Sequence, residues 1–146
     1  MSSGVAVSKI AIRTGNCQKL EAVLSQRVAE YNAAATGYHD AESFGASQRG
    51  ESGEIEAGVS GYTWGGVCYV SYLWVSEGQR LRGIGRELLN AVEHHARDKR
   101  CRMILLSSHT FQAPEFYARL GYEAVARIND YPNRHADIFL AKRLAT

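Results

Sequence analysis

The chain has 146 residues, 45% hydrophobic and 22% charged, with only two prolines. That composition fits one globular domain spanning 1–146 and excludes disorder, collagen and coiled coil. Seventeen basic against fifteen acidic residues leave a formal charge of +2, too little to point to nucleic acid.

No apolar run approaches the roughly 20 residues of a membrane span. The opening Met1–Lys9 lacks a basic segment followed by an apolar stretch, so a cytoplasmic protein with no membrane partner is expected. Cys17, Cys68 and Cys101 are odd in number and widely spaced. They read as reduced thiols rather than a disulfide framework or a zinc site. The five histidines are scattered, and no metal is expected.

In chain order, Val5–Arg13 alternates as a strand, and Gln18–Ala35 repeats Leu20, Val23, Leu24, Val28 and Tyr31 at helical spacing. Asn16 is placed to cap that helix and Gly37 to end it. Strands follow at Ala41–Gln48, Glu54–Trp64 and Val67–Ser76, and their glycine-rich breaks predict an antiparallel meander. Val67–Val75 is apolar on both faces, which predicts a central strand covered on each side.

An amphipathic helix is expected at Gly83–Asp98, then a buried strand at Met103–Leu106 running parallel to Val67–Ser76. A short helix at Ala113–Leu120 stops at Gly121, and strands at Tyr122–Ile128 and His135–Ala141 complete the chain. The order predicts an α/β domain with helices on both faces of a mixed, mostly antiparallel central sheet.

Chemistry concentrates at Gln79-Arg80-Leu81-Arg82-Gly83-Ile84-Gly85-Arg86. Two glycines let backbone approach a ligand where a helix begins. The unpaired N–H groups of the first turn face outward with about half a positive charge. Arg80, Arg82 and Arg86 add full charges, so the segment reads as an anion site suited to a pyrophosphate. No Gly-Lys-Ser/Thr is present, which argues against a nucleotide P-loop. Leu88 stands where a dinucleotide fingerprint needs its third glycine.

Arg80-x-x-Gly83-x-Gly85 between an apolar strand and an amphipathic helix resembles the acyl-CoA pyrophosphate loop of the GNAT superfamily of N-acetyltransferases. Ala113-Pro114-Glu115-Phe116-Tyr117-Ala118-Arg119-Leu120-Gly121-Tyr122 resembles that superfamily's later motif, and the element order matches along the chain. The resemblance implies a single-domain GNAT-like fold with a splayed parallel strand pair and acetyl-CoA bound in the gap.

By the same resemblance Leu73 and Val75 would bind the pantetheine arm through their main chain. The Leu73 amide would donate to the thioester oxygen, and the amides of Arg80, Leu81, Arg82, Gly83, Ile84, Gly85 and Arg86 would hold the pyrophosphate. Phe116 and Tyr117 would border the cofactor. Tyr117 would be the catalytic acid toward the leaving thiolate, a role suited to a phenol of pKa about 10 facing a thiolate of pKa about 8.5.

Two positions depart from the pattern. Thr110 stands where many members carry an asparagine that binds pantetheine, and Tyr69 stands where some carry a glutamate base. The base is therefore open among His109, Glu54, Glu56, Asp130, a water chain and an already neutral amine. The polar loop Asn129–His135 is expected to border the acceptor, with Asp130 attracting a cationic amine.

The reading is direct, sequential acetyl transfer from acetyl-CoA to a primary amine, either a small molecule or a peptide or protein amine, by a monomer or homodimer. A non-catalytic acyl-CoA sensor or partner-binding module on the same fold is the alternative.

Overall fold

The computed structural model describes residues 10–145. Within it the chain divides after Gly37 into two compact units. The predicted first strand lies mostly outside the described residues, and Ile10–Arg13, its remainder, is not a strand.

The first unit holds helix α1 (Gln18–Thr36). Asn16 Oδ1 accepts from the Gln18 N–H at 3.1 Å, one residue before Cys17, which occupies the N-cap position. Gly37 ends the helix in the left-handed region at φ 79°, its N–H donating to Ala33 O.

The second unit is a mixed six-stranded sheet with two helices. Its strands are β1 (Glu42–Arg49), β2 (Ile55–Trp64), β3 (Val67–Val75), β4 (Met103–His109), β5 (Glu123–Asn129) and β6 (Ala136–Arg143). Helix α2 (Ile84–Asp98) crosses from β3 to β4, and α3 (Pro114–Arg119) joins β4 to β5. The sheet order is β1-β2-β3-β4-β6-β5. Among the described residues only the β3–β4 pair is parallel; the other pairs are antiparallel.

Alternation along the strands decides the core. Ala57, Val59, Cys68, Val70, Ile104, Leu106 and Leu140 are buried together with Ile84, Leu88, Leu89, Val92 and Ala96 of α2. Tyr117 of α3 and Tyr122 just beyond it join the same cluster, so both helices of this unit share one face of the sheet. Ile104, Leu106 and Val92 are among the most fully buried side chains, each contributing roughly 1.5–3 kcal/mol.

Within this unit the α2 face of β3 carries the core, and Tyr72 and Trp74 alternate to the other face, where they are exposed.

Candidate active site

The parallel pair is short. β3 and β4 pair at Val67↔Met103, Cys68↔Ile104 and Tyr69↔Leu105 and then part. From there β3 runs on paired with β2 as far as Val75, and β4 runs on paired with β6 as far as His109. A bulge at Ser71, which has no partner while Tyr72 meets Ser60 and Val70 meets Gly61, bends β3 where the separation begins.

The backbone groups exposed by the divergence follow from the ladder. Ser76 N–H donates to Glu56 O at 2.7 Å, across the Val75↔Ala57 pair. That pair, and by alternation Leu73↔Val59, exchanges no hydrogen bonds. The N–H and C=O groups of Leu73 and Val75 thus point away from β2, toward the edge that β4 has left. Strand edges of this kind accept a further extended chain. On the β4 side, the His109 N–H is already taken by Gln112 Oε1 at 2.7 Å.

At the far end of β3 the chain turns through Glu77–Gln79 into the basic loop. Arg80 Nε donates to Val75 O at 3.0 Å, fixing the loop against the strand end. Leu81 sits at φ 65°, its side chain wholly exposed, a strained backbone for a branched residue. Gly83 caps α2 at φ 80°, a conformation that favours glycine. Ile84 buries its side chain in the core.

The first helical bond is Glu87 N–H to Gly83 O. No acceptor among the described residues takes the N–H groups of Leu81, Arg82, Gly83, Ile84, Gly85 or Arg86. Arg82 and Arg86 are exposed and have no carboxylate partner among the described residues. Free donors and unneutralised cations at one helix mouth fit a diphosphate.

The second motif closes on the first. A Cβ placed at Gly85 would lie 3.1 Å from Phe116 Cζ, so the missing side chain lets α3 approach α2. Phe116 and Tyr117 rings meet edge to face at 5.2 Å, and Tyr117 meets Tyr122 at 5.8 Å. Burial raises the Tyr117 phenol above its ordinary value and also raises Tyr122. The Tyr117 hydroxyl has no hydrogen-bond partner among the described residues, yet it is not among the fully enclosed polar atoms, unlike that of Tyr122.

Thr110, at the position where the resemblance implies a pantetheine contact, also fastens two strands. Its N–H donates to Ala136 O at 2.8 Å, and its Oγ1 accepts from Ala136 N–H at 3.1 Å. It fastens the end of β4 to β6, which leaves only its hydroxyl proton to offer.

The base candidates separate in space. Glu54 lies in the β1–β2 turn, held by the Ser52 hydroxyl, which draws its carboxyl below the usual range. Glu56 accepts from Gln48 Nε2 and lies level with Ser76 rather than where β3 and β4 part. Asp130 is exposed at φ 58° in the late loop.

His109 alone of the four borders the divergence, and it meets a residue that the sequence reading passed over. Asp137 is 4% exposed, faces His109 across the β4–β6 ladder and sets Oδ1 3.7 Å from His109 Nδ1. The available signal was a lone carboxylate inside the apolar run Ala136–Leu140.

A sheet that parts beside an anion-ready helix mouth is matched by sequence. Residues 9–122 match the acetyltransferase (GNAT) family, and the chain belongs to that family. It is an N-acetyltransferase by class, as the two motifs implied. It is 38% identical over 96 residues to the blasticidin-S acetyltransferase of Streptomyces morookaense, covering 65% of this chain and 71% of that protein.

Among solved structures, an acetyltransferase from Bacillus cereus is 34% identical, with a TM-score of 0.75 over 92% of this chain and 98% of that one. An aminoglycoside 6'-N-acetyltransferase complexed with coenzyme A shares the fold at 20% identity. Its TM-score is 0.63, over 72% of this chain and 74% of that one. No helix among the described residues is long and apolar enough to cross a membrane.

Proposed function

We propose that the protein transfers the acetyl group of acetyl-CoA directly to the primary amine of a small molecule, with residues 1–146 acting as one catalytic domain. The observation that carries the reading is the parting of β3 from β4 beyond Tyr69↔Leu105, which leaves the Leu73 edge and the Val75 N–H without a strand partner beside the open N–H groups of α2. Likeness to a blasticidin-S acetyltransferase favours a small, amine-bearing acceptor over a protein.

Each residue then has a physical task. Acetyl-CoA supplies the activated acyl group. Arg80, Arg82 and Arg86, with the amides from Leu81 to Arg86, bind its diphosphate. The main chains of Leu73 and Val75 hold the pantetheine as an added strand, and the Leu73 N–H donates to the thioester oxygen as charge develops there. Phe116 walls the site beside Gly85. Tyr117, kept protonated by burial, gives its proton to the departing sulfur.

Direct transfer is supported by the two cysteines of the sheet unit. The Cys68 thiol is pushed up to about 12 by burial, Cys101 is also raised, and both are buried in the core cluster. Neither is poised as a nucleophile.

The test is release of free thiol from acetyl-CoA across a panel of small amines and lysine peptides, beside calorimetry of CoA binding. Turnover with a small amine and no CoA release in its absence is expected. Burst release with ping-pong kinetics would contradict direct transfer, and binding without any thiol release would return the sensor alternative.

A further inference from the structure

Strand alternation places two sets of groups on opposite faces where the sheet parts. Tyr117 belongs to the core cluster on the α2 face. Tyr69, Ser107, His109 and Asp137 lie on the other face, out of phase with buried Cys68, Ile104, Leu106 and Ser108. His109 lies just past the end of the β3–β4 pairing. Its Nδ1 is 2.9 Å from Tyr131 O. A carbonyl can only accept, so Nδ1 carries the hydrogen and, in the neutral ring, Nε2 carries the lone pair.

The ring is held from several sides. Phe111 stacks on it at 5.4 Å and 6°, and Tyr131 meets it edge-on at 5.1 Å. His135 meets the outer ring, Phe111, at 5.0 Å.

The charged neighbourhood is one-sided. Asp137 is nine-tenths buried, and its Oδ1 has no hydrogen-bond partner among the described residues. Tyr69 and Ser107 share this face, and Ser107 lies close enough to Tyr69 to act on its phenol. Asp137 lies close enough to Tyr69 to help raise that phenol, behind burial and Tyr62. A carboxylate this close to the ring is placed to offset charge that forms there when the ring takes a proton.

We propose that His109 is the general base of the transfer, taking the amine proton at Nε2, and that Asp137 is a positioning residue that stabilises the resulting imidazolium. The inference rests on the acetyl-transfer reading above and completes its proton balance. As the amine nitrogen bonds to the acyl carbon and the carbon–sulfur bond breaks, one proton leaves the nitrogen for His109 Nε2. Another passes from Tyr117 to sulfur on the opposite face. Both groups return to their starting states through solvent. A carboxylate on β6, acting through a histidine on β4, takes the part for which Tyr69 on β3 has no acidic group.

The experiment takes the best amine found in a panel of blasticidin S, an aminoglycoside, spermidine and a lysine peptide. His109→Ala and His109→Gln are expected to lower kcat about 100-fold, to keep CoA affinity by calorimetry, and in the alanine variant to regain turnover with added imidazole. Asp137→Asn is expected to lower kcat about 10-fold with KM for the amine unchanged and no recovery with imidazole. Nitrogen-15 shifts of the His109 ring are expected to show the hydrogen on Nδ1 in the wild-type protein.

Wild-type turnover in both His109 variants, a loss that imidazole does not relieve, or a hydrogen found on Nε2 would each overturn the base assignment. Unchanged kcat in Asp137→Asn would overturn the positioning role. Failure of the wild type to bind CoA or to acetylate any amine would instead sink the acetyl-transfer reading, and the ring hydrogen would still be measured independently.

Discussion

Gly85 and Phe116 fit together as a hole and its filler: the ring edge stands 3.1 Å from where a Cβ on residue 85 would be. This contact joins the helix whose first turn leaves its N–H groups open to the helix that carries Tyr117, so the two motifs share one packing constraint. Gly85→Val is expected to cost about 1–3 kcal/mol by overpacking and to weaken CoA binding as α3 is displaced. Pairing it with Phe116→Ala should recover part of that loss. Urea denaturation and calorimetry of the two single variants and the double variant measure the coupling.

Tyr117→Phe removes a hydroxyl and leaves the ring packing against Phe116 and Tyr122. Turnover is expected to fall about 100-fold, within the range of general acid catalysis, with CoA affinity nearly unchanged. Because burial raises this phenol, the proton-donating form persists to higher pH than in an ordinary tyrosine. Wild-type kcat should accordingly hold through pH 10 before it declines. A pH–rate profile checks the sign, since a decline beginning well below pH 10 would assign the limb to another group.

The basic loop makes a prediction about salt. Arg82→Ala and Arg86→Ala are each expected to weaken CoA binding about 5-fold, on the order of 1 kcal/mol for an exposed charge. The loss should shrink as ionic strength rises. Pantetheine, which lacks the diphosphate, should bind all three proteins alike. Calorimetry with both ligands at two salt concentrations separates charge from shape.

Far from the cleft, Glu93 accepts from Lys142 Nζ at 2.9 Å and from Arg97 at 3.0 Å. The Lys142 hydrogen bond is the main cause that draws its carboxyl below the ordinary range, against a smaller cost of burial. A carboxyl depressed in the folded state adds stability above its unfolded pKa of about 4.3 and loses it as pH falls through the folded value. Glu93→Gln should therefore cost about 1 kcal/mol at pH 7, for a partly exposed pair. The gap from wild type should close toward pH 2. Denaturant midpoints at the two pH values test the direction.

Within the described residues the strand and helix boundaries were legible because they rest on local rules. Glycine-rich breaks marked the hairpins of β1 to β3, helical spacing marked α2, and Gly37 and Gly121 marked helix ends that take a positive φ. The basic helix mouth was legible for the same reason: a helix start and its arginines are contiguous in sequence.

By itself the sequence determined the elements, their order and the two motifs, all of which arise from interactions over a few residues. Tertiary structure alone decided where β3 and β4 part and that Thr110 is spent on Ala136. It also decided that Asp137 stands behind His109, 28 positions earlier in the chain. Those relations depend on ladder register between distant strands, and a shift of one residue there would send every one of these side chains to the opposite face.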